Sequence, residues 1–121
     1  MDISSYPAIE QAGTVFYNTA GQTQDFLNVL KSSGINTIRL RLWVDPVDNL
    51  NGLDEVEIFA KRLHSEGFKI WLTLHYSDTW ADPGNQIKPK RWENLNFDAL
   101  NDSVRLSKNP FSPQKINSKI F

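Results

Sequence analysis

The chain contains no cysteine, one methionine and only two histidines. The missing thiols exclude disulfides and thiolate chemistry, and with no second histidine near His75 a zinc centre lacks its ordinary ligands. They leave the compartment open, since many secreted proteins also lack cysteine. Neither sign of charge predominates, with 13 Lys and Arg against 14 Asp and Glu and a net charge of -1. No basic block or acidic tail is present, so neither nucleic acid nor another polyanion is expected as a partner. No apolar run approaches the roughly 20 residues of a membrane span, and Met1 passes directly to Asp2 with no charged and apolar leader between them. Neither GxGxxG nor GxxxxGK[ST] follows any strand-like run, which removes the usual support for a nucleotide-binding open sheet. The 121 residues, 40% of them hydrophobic, suffice for one domain at most.

Two stretches repeat each other: "LKSSGINTIRLRLW" from Leu30 and "LHSEGFKIWLTLHY" from Leu63, with Leu, Ser and Gly in matching places. Each reads as a helix end, a glycine stop and a strand, because Gly34 and Gly67 stand where a helix terminus takes a left-handed residue. The periodicity predicts helices from Gln22 to Ser32 and from Asp54 to Ser65, and a third from Asn96 or Phe97 to about Leu106. The predicted strands, Ile35 to Val44 and Phe68 to Tyr76, are mostly too apolar for a sheet with one wet face. Strands alternating with helices at this period imply βαβ units and a parallel sheet, either open and doubly wound or closed as a (β/α)8 barrel. The run "DIS" at Asp2 to Ser4 reads as the end of an earlier strand.

Arg39 and Arg41 alternate with Ile38, Leu40 and Leu42, so both guanidinium groups share one strand face. An unpaired buried arginine is costly, and the mouth of a barrel can supply carboxylate partners. A structural ion pair remains the alternative for either residue. On the barrel reading, groups at the C-terminal strand ends face the substrate: Asp2 and Ser4, then Arg41, Trp43 and Asp45, then His75, Ser77, Asp78, Trp80 and Asp82. Indole faces mixed with short carboxylates suit a sugar, whose apolar face stacks on the ring while its hydroxyls meet Asp or Asn. The competing reading packs Trp43 and Trp80 under long loops as satellite core. His75 is open to three roles: metal ligand, general base or hydrogen-bonded wall residue. His64 reads as a solvated helix residue. Asp78 and Asp82, four apart in a loop, lack the DxDxDG calcium spacing.

"DISSYPAIEQAGTVFYN", "INTIRLRLWVDP" and "LHYSDTWADPGNQIKPKRWENLNFDAL", in that order, closely resemble the amino-terminal part of the arabinogalactan endo-β-1,4-galactanases, glycoside hydrolase family 53. The resemblance runs from Asp2 to about Val104 and implies the N-terminal part, about three β/α units, of a TIM (β/α)8 barrel. It implies a retaining hydrolysis of β-1,4-galactan in type I arabinogalactan, no cofactor, and typical secretion; family members carry calcium, where they do, in later loops. Position by position it assigns Asp2 and Ser4 to the first strand mouth and Arg39 or Arg41 to the arginine near the nucleophile. It places Trp43 and Asp45 in the second loop, and His75, Tyr76, Asp78, Trp80, Asp82 and Trp92 in the galactan-lining third loop. No catalytic residue falls in this chain, because the acid/base and nucleophile glutamates of the family belong to the fourth and seventh strands, beyond Phe121.

The expected organisation is a partial barrel over residues 1–107 and a non-family, irregular tail over residues 108–121, where Pro110 and Pro113 interrupt any helix. A truncated or frame-disrupted galactanase gene product is the expectation that fits this pattern. The isolated chain is expected to be marginally stable and catalytically silent. It is also expected to self-associate through an exposed sheet edge, with apolar inner residues such as Ile38, Leu40 and Leu72 uncovered. Two alternatives stand beside the galactanase reading: a non-catalytic fragment with a residual carbohydrate-binding face, and a related barrel hydrolase of cellulase or mannanase type.

Overall fold

The computed structural model describes residues 1–107; the expected tail lies outside the described residues. In chain order the elements are α1 (Tyr6–Gln11), α2 (Phe26–Ser32), β1 (Thr37–Leu42), α3 (Leu53–Ser65), β2 (Lys69–Leu74), a 3-10 turn (Lys90–Trp92) and α4 (Phe97–Ser107). β1 and β2 pair in parallel, with Arg39 opposite Trp71 and Arg41 opposite Thr73. The Asp2 segment adds a parallel bridge to the other edge of β1, through Arg39 N–H donating to Met1 O at 2.7 Å. Among the described residues the outer edge of β2 has no partner strand.

Helix α2 begins at Asp25, whose side chain accepts from Asn28 N–H and so satisfies one of the orphan amides of the first turn. It ends at Gly34, φ 80°, where Ile35 N–H returns to Leu30 O and Gly34 N–H to Lys31 O. Helix α3 ends the same way at Gly67, φ 88°, with Phe68 N–H returning to Leu63 O and Gly67 N–H to His64 O. The repeated "L-x-S-x-G" is thus a repeated Schellman stop that feeds each helix into its strand.

The core lies between the sheet and its helices. Even-numbered β1 residues point inward, and Ile38 and Leu40 pack with Leu27, Leu30, Phe59 and Leu63. Here the structure corrects one expectation: Ile38 is 0% and Leu40 1% exposed. The strand alternation turns these residues under the helices, and Leu72 is partly buried against the same core. The open face, which looks toward the interior of a barrel, instead carries Arg39, Arg41, Thr73 and Trp71, the last exposed to 67%. The strands themselves are shorter than the apolar runs: Ile35 N–H is taken by the helix stop, and after Leu42 the chain turns into the second loop, where Trp43 N–H donates to Asn51 O. Helix α1 escaped the sequence reading. It has six residues with proline in its first turn, and Tyr6 is its buried anchor, 5.0 Å from the Phe26 ring centroid.

Candidate functional site

At the C-terminal ends of the strands, the odd-numbered residues meet. Arg39 Nε donates to Thr73 Oγ1 at 3.0 Å and lies 3.7 Å from Asp2 Oδ2. Arg41 donates from Nη2 to Ser5 Oγ at 3.1 Å, and its guanidinium carbon stands 5.0 Å from the Trp80 ring centroid and 5.9 Å from that of Trp43. The cationic groups are therefore held by neutral hydroxyls, one carboxylate and two indole faces. His75 completes the cluster with its ring 6.3 Å from Trp80. Among the described residues Arg41 Nε, Trp43 Nε1 and His75 Nε2 are buried without a hydrogen-bond partner, and groups so placed gain from a polar ligand that reaches them.

The electrostatics follow from this crowding. Partial burial pushes the Asp2 carboxyl up, but hydrogen bonds from Ser4 and the Arg41 and Arg39 guanidinium groups outweigh it and hold Asp2 below the usual range. Burial and then the charges of Arg41 and Arg39 push the His75 imidazole below its ordinary value, Asp2 opposing them only in part. His75 is accordingly a neutral imidazole at pH 7.

Several sequence-expected ligands hold the scaffold itself. Ser4 is buried, donating to Asp2 Oδ1 at 2.7 Å and accepting from Arg41 N–H at 2.9 Å, so its hydroxyl joins the first segment to β1. Asp78 accepts from Asp45 N–H through Oδ1 at 3.0 Å and from Lys90 N–H through Oδ2 at 2.8 Å. Asp82 accepts from Gly84 N–H at 2.8 Å in the turn at the loop tip. Trp92 is 5% exposed, with Tyr76 6.0 Å away. Tyr76 and Trp92 line a hollow of about 620 Å³ with Ala81, Ile87 and Leu100, and a neighbouring hollow of about 430 Å³ with Trp43, His75 and Leu95. Arg41 and Trp80 stand outside both.

The structure therefore gathers Asp2, Arg39, Arg41, Trp43, His75 and Trp80; Tyr76 and Trp92 share a hollow with Trp43 and His75, and Asp82 lines the second hollow with His75, both away from Arg41 and Trp80. Asp45 is exposed on the second loop, tied in through its backbone. Sequence reading missed Ser5, Thr73 and Trp71 on the cluster face. The signal was the period-two alternation Trp71, Thr73, His75, which register with β1 places beside the arginines. Of the five glutamates, four are engaged elsewhere: Glu10 with Arg62, Glu57 with Lys61, Glu66 with Lys31, and Glu55 with Asn51 N–H. No group of three or more His, Cys, Asp or Glu able to hold a metal occurs among the described residues.

Parallel strands joined by helices, with aromatic and charged groups collected at the C-terminal strand ends, are the opening units of a (β/α)8 barrel and one side of its mouth. The sequence matches the profile of glycosyl hydrolase family 53 over residues 1–107. The chain belongs to that family of glycoside hydrolases. It is 44% identical over 107 residues to the endo-beta-1,4-galactanase of Bacillus subtilis, covering 81% of this chain and 25% of that protein. It is 42% identical over 99 residues to arabinogalactan endo-beta-1,4-galactanase A of Emericella nidulans, covering 82% and 28%. The family 53 catalytic domain of Ignisphaera aggregans superposes with a TM-score of 0.85 at 35% identity, covering 98% of this chain and 35% of that one. The chain thus spans about a quarter of the length of the curated relatives it matches.

Proposed function

We propose that this chain forms a galactan-holding wall of an endo-β-1,4-galactanase and by itself does not cut. The observation that carries the reading is the half-exposed Trp80 indole, 51% accessible, laid over Arg41 at the strand ends beside a neutral His75. An exposed indole face suits galactose, whose axial O4 leaves one ring face apolar, and neighbouring polar groups take the hydroxyls. The named activities of the relatives supply the linkage, β-1,4-galactosidic.

Cleavage with retention needs two carboxyl groups about 5 to 5.5 Å apart, one as acid/base and one as nucleophile. In this reading both come from later strands of a complete barrel. Arg41, nearer the strand end than Arg39, favours the ionised form of a carboxylate brought against it. A protein working on an extracellular plant polysaccharide is secreted, and the unpaired edge of β2 promotes self-association of the isolated chain.

Affinity electrophoresis tests the reading. Retardation of the purified chain in gels containing potato galactan, absent in mannan or soluble cellulose gels and lost in Trp80→Ala, supports it. Equal retardation in all three, or in mannan alone, removes the galactan assignment. Reducing-sugar release from pure galactan by the chain alone contradicts the non-cutting part.

A further inference from the structure

The segment from Asp78 to Lys90 carries Trp80 away from β2 and returns it, and both of its ends are fixed. Near its start Ser77 is 3% exposed, and its carbonyl accepts from Val44 N–H at 2.9 Å. At the far end Pro89 is fully buried and receives Trp92 N–H at 2.9 Å. Of the two carboxylates between these anchors, Asp82 serves the local turn through Gly84 N–H, whereas the two oxygens of Asp78 take different backbone amides: Asp45 N–H from the β1–α3 loop and Lys90 N–H from the far side of the same segment. These donors lie 33 and 12 residues away in sequence. Two amide hydrogen bonds to one ionised acceptor are stronger than their neutral counterparts.

We propose that Asp78 is a positioning residue: its carboxylate closes the Trp80 segment onto the β1–α3 loop and so fixes the indole over Arg41. Each oxygen accepts one backbone amide, from two different segments, and among side chains only a carboxylate offers acceptors at both positions. Asparagine keeps one carbonyl acceptor but turns an NH2 group toward the second N–H, so one tether is lost. The role of Trp80 as a sugar platform comes from the galactan reading; the tether itself does not depend on it.

The test labels the chain with 5-fluorotryptophan and assigns its four tryptophan 19F resonances by single Trp→Phe replacements. Asp78→Asn is expected to shift or broaden the Trp80 resonance and leave that of Trp71, on β2, in place. Lys90→Pro provides a second variant. It removes the donor while leaving the Asp78 carboxylate intact, at the first position of the 3-10 turn, where a fixed φ is tolerated, and it should move Trp80 likewise. An unchanged Trp80 resonance in Lys90→Pro overturns the proposal. In galactan gels Asp78→Asn should weaken retardation about tenfold, or about 1.4 kcal/mol, and Lys90→Pro, which leaves the carboxylate in place, should weaken it likewise. A loss in Asp78→Asn with Lys90→Pro unchanged would mean that Asp78 touches sugar and would also overturn it. Absence of any galactan affinity would remove the function reading while the resonances still decide the tether.

Discussion

Replacing Gly67 with alanine isolates the backbone contribution of the repeated helix stop. Gly67 has φ 88°, and a Cβ built there meets no heavy atom within 4 Å, so crowding contributes nothing. What remains is the left-handed backbone, which costs an L-residue about 1 to 2 kcal/mol. Gly34, φ 80° and equally open, should behave the same way. With a urea m-value of about 1.5 kcal/mol/M, each variant lowers the midpoint by about 1 M at unchanged m, followed by far-ultraviolet circular dichroism. Gly52→Ala differs in kind: φ is ordinary, but its Cβ would press on Asn49 Oδ1, lie 3.0 Å from Asn49 O and strain the loop at the mouth. Wild-type midpoints for both Gly34→Ala and Gly67→Ala would refute the reasoning, as would losses above about 3 kcal/mol, which a backbone term of this size cannot reach.

Ile38→Ala, at a position 0% exposed, should cost about 2 to 5 kcal/mol, whereas Trp71→Ala, 67% exposed on the opposite face, should stay within about 0.5 kcal/mol; the reverse order in urea denaturation would show the faces misassigned. His75 has its folded pKa pushed down from 6.5 by burial and the two arginines. The unfolded chain therefore binds that proton more tightly, and stability is full above about pH 6.5 and falls as pH drops below it. Urea midpoints across that interval should show this slope, and His75→Gln should lessen it; an identical slope in the variant would exclude His75 as its source.

The elements legible in the sequence were those set by local chemistry. The glycine stops at Gly34 and Gly67 and the apolar face of α3 declare themselves within a few residues, so α3, α4, both strands and the end of α2 fall close to their expected places, whereas α2 starts at Phe26 rather than Gln22, because Asp25 caps it and Thr23 bridges Tyr17. Alternation placed Arg39 and Arg41 on one face, but it cannot say which face the helices cover, and Ile38 and Leu40 proved to be core. Helix α1 was too short for a periodic signal, and its Pro7 marked only a beginning. Trp92 illustrates a different limit, since an aromatic in a loop can turn inward or outward without changing its sequence neighbours. For Asp78 the deciding partners are backbone amides of Asp45 and Lys90, and no side-chain spacing advertises a backbone donor.

In the proposed reading the cluster around Trp80 holds galactan. Titration of β-1,4-galactotetraose into the 5-fluorotryptophan-labelled chain tests it most directly. A saturable shift of the Trp80 resonance is expected, with buried Trp92 unmoved and no response to cellotetraose. Saturable shifts at Trp92 or Trp71 with Trp80 silent, or no shift at any tryptophan, would contradict it.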